Sequence, residues 1–195
     1  MSDFSSKAAM RAALLARRRA LPASSLAKAA ASVLSELASL VRGHAPACVA
    51  GYVPIGAEPG GPGLPDALAG ALGPGGRLLL PVLLPDLDLD WADYAGHASL
   101  TPGARGLREP SGRRHGVDAV AEAALVVVPA VAVDRHGVRL GRGGGSYDRA
   151  LARATGLTVA LLHDGEFVDE VPAEAHDQRV RAVITPGDGL VMLAA

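Results

Sequence analysis

Leu125-Val126-Val127-Val128 leads, a few residues on, into Val133-Asp134-Arg135-His136-Gly137-Val138-Arg139-Leu140-Gly141-Arg142-Gly143-Gly144-Gly145-Ser146-Tyr147-Asp148-Arg149. The first four residues are apolar without alternation, the pattern of a strand covered on both faces. Four of the five positions from Gly141 to Gly145 are glycine. A helix from Tyr147 to Ala154 is expected next. Buried strand, glycine-rich turn and helix N-terminus, in that order, build an anion site. Glycine lets backbone N–H groups approach oxygens closely, and the helix end adds partial positive charge. Arg139 and Arg142 bracket the turn and can fork onto phosphate oxygens.

The spacing excludes two familiar phosphate loops. No Gly-Lys-Ser/Thr follows, so the turn is not a Walker A loop, and the Gly-x-Gly-x-x-Gly pattern of dinucleotide sites fails after Gly143. Ser146 sits on a strand-to-helix turn, but Gly144-Gly145-Ser146-Tyr147-Asp148 lacks the Gly-x-Ser-x-Gly of a hydrolase elbow. A flexible linker would account for the glycines, yet it has no use for the arginines or for Tyr147-Asp148.

Outward from this stretch, residues 6–20 read as a basic helix stopped by Pro22. Ser24 or Ser25 is placed to cap a second helix running to about Val41. Ala47–Val53, Arg77–Leu83, Thr158–Leu162 and Ala182–Ile184 read as further strands, and Leu87–Tyr94 as a pair of short strands or a ribbon. Short helices are expected at Pro65–Leu72 and Val117–Ala123, whereas His97–Arg114 has no clear period and reads as active-site or surface loop. Strands alternating with helices predict an α/β fold with a mainly parallel sheet, in one domain spanning residues 1–195. Ligands of such sheets bind beyond the carboxyl ends of the strands. The Tyr52–Glu58 loop, the 129–148 loop and the segment after Leu162 leave strands at that end and are expected to share one cleft.

Composition narrows the class. Hydrophobic residues are 49% of the chain but aromatic ones only 3%, so the core must be built from Ala, Val and Leu. A formal net charge of −1 argues against a general nucleic-acid binder. The single cysteine, Cys48, excludes an intrachain disulfide and a cysteine-based zinc site; its strand context makes it a core residue. No apolar run reaches the length of a membrane span and no hydrophobic leader follows the basic N-terminus, so a cytoplasmic enzyme is expected.

Lys7 and Arg11 share one face of the first helix, with Arg18 roughly continuing it and Met10 and Leu14 on another. That face is either solvated or an arm offering cations to a polyphosphate; a transit peptide, the third reading, is weakened by Asp3 and by the second helix close behind. Asp148 and Asp177 offer a metal site, because Mg2+ takes one or two carboxylates together with waters and phosphate oxygens. Alone, each reads more readily as a helix cap or turn residue, and Asp148 falls in the first turn of the expected helix. His115, His136, His163 and His176 lack zinc spacing and read as loop or surface residues.

These residues together resemble the 5-formyltetrahydrofolate cyclo-ligase family, also called methenyltetrahydrofolate synthetases. Arg139-Leu140-Gly141-Arg142-Gly143-Gly144-Gly145-Ser146-Tyr147-Asp148 resembles its signature loop, and Lys7-Ala8-Ala9-Met10-Arg11 its N-terminal Lys-x-x-x-Arg. Tyr52-Val53-Pro54-Ile55-Gly56-Ala57-Glu58 resembles its strand-end tyrosine with a glutamate six residues on. Leu107-Arg108-Glu109-Pro110 resembles its Glu-Pro turn, and Val171-Pro172 through His176-Asp177 its C-terminal Pro-x-x-x-His-Asp stretch.

The resemblance spans nearly the whole chain and implies a three-layer α/β/α sandwich. It also implies a reaction in which ATP, as co-substrate, and Mg2+ drive closure of 5-formyltetrahydrofolate to 5,10-methenyltetrahydrofolate, releasing ADP and phosphate. The formyl oxygen would attack the γ-phosphate, N10 would then attack the activated carbon, and phosphate would leave. Carried onto this chain, Lys7, Arg11, Arg139, Gly141, Arg142, Gly143, Gly144, Gly145, Ser146 and Tyr147 would hold ATP, with Arg142 and Tyr147 catalytic. Asp148 and Asp177 would hold Mg2+, and Tyr52, Glu58, Arg142 and Ser146 would face the folate. The partners implied are these small molecules, with no nucleic acid and no membrane, and the enzyme would be a monomer.

The chain departs from the family pattern at Ser146, where many members carry an aromatic residue, and at Val133, which replaces a frequent phenylalanine. It departs again at Pro59-Gly60-Gly61, where a Val-Asp-Thr helix start is usual. Trp91 is a candidate to make good the missing ring by stacking on the pterin, or else a core or rim residue. There are three rival classes. One is a sugar-phosphate isomerase on a related sheet, which would need no ATP. Another is a folate- or nucleotide-binding regulator without turnover, against which the retention of Lys7, Arg11, Asp148 and Asp177 speaks. The third is an RNA-associated module using the basic N-terminal helix, for which the charge balance is wrong and no aromatic stacking platform is evident.

Overall fold

The computed structural model describes residues 6–174 and 177–194; His176 lies outside the described residues. Helices α1 (Lys7–Arg19) and α2 (Ala23–His44) precede β1 (Cys48–Ala50), α3 (Leu64–Ala71), β2 (Arg77–Leu83) and β3 (Leu89–Asp93). A small ribbon, β4 (Leu100–Pro102) and β5 (Arg108–Pro110), comes next. After it run β6 (Leu125–Pro129), β7 (Ala132–Asp134), β8 (Arg139–Leu140), α4 (Ser146–Arg153), β9 (Leu157–Leu161), β10 (Phe167–Val168), β11 (Ala182–Thr185) and β12 (Gly189–Met192). Among the described residues the central sheet has seven strands in the order β12-β11-β9-β6-β1-β2-β3. The inner five are parallel, and β12 and β3 close the edges antiparallel.

The apolar runs explain why both faces are covered. Leu78, Leu80, Leu125 and Val127 pack with Val33, Leu37 and Val41 of α2 and with Leu64 and Leu68 of α3. Their alternates Leu79, Val126 and Val128 face the other way, against Val120 of a short 3-10 helix and Ala150 and Leu151 of α4. The result is a three-layer α/β/α sandwich. Trp91 is fully buried in this second layer, so it is a core residue and does not stack in the site.

Several boundaries differ from expectation for local reasons. Pro22 itself caps α2, and Ser24 and Ser25 lie inside the first turn; proline's fixed φ and missing N–H suit a helix start. Leu87–Tyr94 holds one strand, β3 (Leu89–Asp93), which follows a turn in which Leu87 takes a φ of 69°. His97–Arg114 holds the β4–β5 ribbon, and residues 117–122 form a 3-10 helix. A second sheet, β10-β7-β8, is built from pieces too short to show a period. Met10 and Leu14 of α1 pack on its Ala132 and Leu140, which docks the helix. No described helix is long and apolar enough to cross a membrane.

The strand order places β1 beside β6. From β1 the chain proceeds outward to β2 and β3, and from β6 it proceeds the opposite way to β9 and β11. The carboxyl ends of β1 and β6 therefore splay apart at a topological switch point, where open α/β sheets form their ligand crevice.

Candidate active site

A cavity of about 760 Å³ opens at this switch point, in the upper part of the range for small-molecule sites. Tyr52 to Glu58 leave β1 into it, and Pro129 to Val131 leave β6. The glycine turn, the N-terminal half of α1, the ribbon, Glu174 and Asp177 complete its walls.

Asp134 shapes the hairpin that delivers the glycine turn. Its buried carboxylate accepts hydrogen bonds from the backbone N–H of His136 (2.8 Å), Val138 (3.0 Å) and Val171 (3.1 Å). Gly137 completes the turn with a φ of 81°, and a Cβ there would strike the Val180 carbonyl. Sequence reading passed over Asp134, although Asp with Gly three residues on is a recognisable turn signal.

The turn presents Arg139 nearly buried, with its Nη2 3.0 Å from Asp148 Oδ1 and its Nη1 donating to Pro129 O at 3.3 Å. Its Nε has no partner among the described residues. The guanidinium lies 5.8 Å from the Tyr147 ring centroid. A Cβ at Gly141 would fall 2.6 Å from Arg139 Nη1, so any side chain there would push the guanidinium aside. Gly143 and Gly145 take φ values of 96° and 69°, which glycine adopts without strain. Gly145 caps α4 with no side-chain hydrogen bond, which leaves the first N–H groups of that helix for a ligand.

Helix α1 forms the facing wall. Arg11 Nε donates to Gly141 O at 2.7 Å and ties the turn to the helix. Lys7 Nζ is 2.6 Å from Asp177 Oδ2 and 3.2 Å from Glu174 Oε1. Burial opposes the Lys7 charge, but hydrogen bonds to Asp177 and Glu174 outweigh it and hold the ammonium above its ordinary pKa. Arg18, about two turns further along the helix, turns inward and is no part of the site. It binds both oxygens of Glu166 (2.6 and 2.7 Å) and Ala130 O (2.6 Å).

Glu58 is buried with both oxygens engaged. Oε2 accepts from Ile55 N–H and Oε1 from Arg142 Nε, each at 2.8 Å, while the Arg142 side chain stays half exposed. Tyr52 lines the cavity, but its hydroxyl donates to Pro59 O at 3.0 Å and so holds the Glu58 loop in place. Gly60 and Gly61 follow with φ values of 87° and 59°, and α3 then starts at Leu64. Burial, then the charge of Glu58, push the phenols of Tyr52 and Tyr147 well above the ordinary tyrosine range. Both are therefore neutral donors or packing surfaces, never phenolates, near neutral pH.

Trp91 apart, the residues given a site role from sequence all line this one cavity: Lys7, Arg11, Tyr52, Glu58, Arg139, Gly141 to Asp148, and Asp177. Of the segment after Leu162, Glu174 and Asp177 line the cavity, whereas residues 163–168 do not; there Glu166 accepts the His163 N–H and buries Arg18. Arg105, Leu107 and Arg108 on the ribbon line the cavity, within the stretch expected to be active-site or surface loop, although none of the three was given a role from sequence.

Among the described residues no group of three or more His, Cys, Asp or Glu could hold a metal ion. Asp148 and Asp177, both on the cavity wall, fit Mg2+ completed by waters and phosphate oxygens and do not fit a full protein cage.

The sequence pattern of the 5-formyltetrahydrofolate cyclo-ligase family matches residues 3–186. A 5-formyltetrahydrofolate cyclo-ligase of Mycolicibacterium smegmatis is 41% identical over 96% of this chain and 97% of its own length. That of Escherichia coli K12 is 33% identical over 57% of this chain and 64% of its own. Among solved structures, the NMR structure of Aquifex aeolicus 5,10-methenyltetrahydrofolate synthetase superposes with a TM-score of 0.80 at 28% identity, covering 97% of this chain and 93% of that one. The Mycoplasma pneumoniae 5,10-methenyltetrahydrofolate synthetase, at 18% identity and a TM-score of 0.71 over 91% and 96% of the two chains, shares the fold. With the switch-point cavity, the glycine turn and a match over almost its full length, the chain belongs to the 5-formyltetrahydrofolate cyclo-ligase family.

Proposed function

We propose that this chain closes 5-formyltetrahydrofolate to 5,10-methenyltetrahydrofolate at the expense of ATP, acting as a single catalytic unit. One observation carries the reading beyond the family likeness. A single cavity joins four cations of α1 and the glycine turn (Lys7, Arg11, Arg139 and Arg142) to a buried carboxylate, Glu58. The first set suits a triphosphate, and the second suits the N–H edge of a pterin.

A formamide oxygen is a poor leaving group, so direct closure by N10 would have to expel hydroxide. Attack of the formyl oxygen on the γ-phosphorus of ATP forms the O–P bond and breaks the bond to the ADP oxygen. N10 then adds to the activated carbon and loses its proton, and the C–O bond breaks to release phosphate. Phosphoryl transfer of this kind needs positioning and charge neutralisation, not a protein nucleophile. Arg139 and the N–H groups at the start of α4 would hold the phosphates, with Tyr147 as a neutral donor beside them. Arg142, half exposed, would exchange Glu58 for the γ-phosphate and leave the Glu58 carboxylate to the pterin. Asp148 and Asp177 would hold Mg2+, which when bound neutralises phosphate charge.

The test is the absorbance of the methenyl product from 5-formyltetrahydrofolate, with ATP and Mg2+ omitted in turn. Product only when both are present is expected. Product without ATP, or none from folded protein that binds ATP, would overturn the reading in favour of an isomerase-like or regulatory protein.

A further inference from the structure

Glu58 must present its carboxylate from a turn between β1 and α3 that has no helix or strand of its own. The backbone carbonyls on either side of it are each held by a buried side chain from elsewhere. The Tyr52 hydroxyl donates to Pro59 O at 3.0 Å, and His163 Nε2 lies 2.9 Å from Ala57 O. A carbonyl oxygen only accepts, so the His163 proton sits on Nε2 and the ring donates. From sequence His163 reads as a loop or surface residue; it is instead 6% exposed, two residues past β9. In the sheet β6 separates β9 from β1, and the imidazole spans that gap between the turns that follow them.

The imidazole stands on a fixed base. The His163 N–H donates to Glu166 Oε2 at 2.8 Å, and the Glu166 N–H donates back to His163 O at 3.1 Å. Glu166 in turn holds Arg18 with both oxygens, and Arg18 reaches Ala130 O beyond β6. A continuous chain of hydrogen bonds therefore runs from α1 through Glu166 and His163 to the peptide group that precedes Glu58. That peptide is held at both ends, its C=O by His163 and its N–H by Ile55 O at 3.2 Å.

We propose that His163 is a positioning residue for the folate: by holding Ala57 O it fixes the peptide that carries Glu58 and so aims the carboxylate, without touching either substrate. This rests on the reading of Glu58 as the group that receives the pterin. The ring does not line the cavity, so it acts only through the turn it supports. A buried carbonyl stripped of its donor turns until it finds another, and the carboxylate attached to the same peptide turns with it. A binding group keeps its aim only where the residues behind it lock its geometry. Lys7, Arg11 and Arg139 are held by bonds of their own to Asp177, Gly141 O and Pro129 O, so the disturbance stays at the folate end.

The test measures KM and kcat for 5-formyltetrahydrofolate and for ATP in the unaltered protein and in His163→Leu, His163→Asn and His163→Gln, with folding followed by circular dichroism. Leucine removes the donor, asparagine carries an amide too short to reach Ala57 O, and glutamine places an amide N–H near the position of Nε2. His163→Leu and His163→Asn should each raise the folate KM about tenfold, within the cost of leaving a buried carbonyl without its donor, and move the ATP KM by less than about twofold. His163→Gln should return the folate KM to within about threefold of the unaltered value. Calorimetry on a Glu58→Gln background adds a second readout: there His163→Leu should no longer weaken 5-formyltetrahydrofolate binding, because the group it aims is already gone. Both KM values rising together, a fall in kcat at unchanged folate KM, or a glutamine variant no better than leucine would each make the ring mere packing and overturn the proposal. If His163→Leu fails to fold, the contrast between asparagine and glutamine decides in the same way. Those outcomes leave the cyclo-ligase reading standing, whereas no methenyl product from the unaltered protein would overturn both.

Discussion

The two ends of α1 carry ion pairs of opposite kinds. At its C-terminal end Arg18 and Glu166 pair at 2.6 Å with side chains only 3% and 6% exposed, and Ala130 O and the His163 N–H take up more of their hydrogen-bonding capacity. At its N-terminal end Lys7 meets Asp177 on a cavity wall, with Lys7 18% exposed. The pairs Arg139–Asp148 and Arg142–Glu58 line the same cavity. A pair sealed inside the protein has no competitor and acts as a fixed strut. A pair on a cavity wall can trade each partner for a ligand, the cation for phosphate oxygens and the carboxylate for a metal ion or a pterin edge. One helix thus anchors the fold with one arginine and serves the site with a lysine and another arginine.

The comparison is broken most severely at the strut. Arg18→Met leaves Glu166 charged and buried without its partner, and the expected loss is about 3–5 kcal/mol of unfolding free energy in urea denaturation. The double variant Arg18→Met/Glu166→Leu should regain much of that loss. A single-variant cost below about 1 kcal/mol would mean that the pair is no strut.

Asp148→Asn tests the cavity side. The fold is expected to survive, with a modest stability cost because Arg139 keeps its bond to Pro129 O. Turnover should fall on the order of a hundredfold or more as charge neutralisation at the phosphates is lost. Near-normal kcat would remove Asp148 from the metal site.

The smallest effect belongs to a pair of intermediate exposure, Asp88–Arg153, which ties the β2–β3 turn to the end of α4 at 2.6 Å. Burial raises the Asp88 pKa, but hydrogen bonds from Arg153 and the Leu89 N–H outweigh it, and the folded value lies below the ordinary one. Its stabilisation is therefore present above the unfolded aspartate pKa and is lost as pH falls through the lowered folded value. Asp88→Asn should cost about 1 kcal/mol at pH 7, a gap that closes in acid. A gap independent of pH would show that the carboxylate charge is not its source.

Much of this arrangement was legible before folding was considered. The unbroken apolar runs at Arg77–Leu83 and Leu125–Val128 predicted buried parallel strands, because side chains on both faces had to find cover. The glycines with their arginines predicted an anion turn, because few other roles require both. The edge and second-sheet strands β7, β8, β10 and β12 escaped, since stretches of two to four residues carry no period.

Residue chemistry, local spacing and the likeness to one family are properties of the chain order, and from them the sequence determined the layer architecture, the anion turn and the set of candidate site residues. Only the tertiary structure decided what each charge is for. Arg18 and Arg11 look alike along one helix face, yet Glu166 buries the first and the glycine turn engages the second. Trp91 became core because β3 pairs at the sheet edge beneath the 3-10 helix, and Arg105 and Arg108 reached the cavity because the ribbon folds over it. Each of these outcomes depends on contacts between segments far apart in the chain, whose positions are set by packing the whole core, and local pattern carries no record of them.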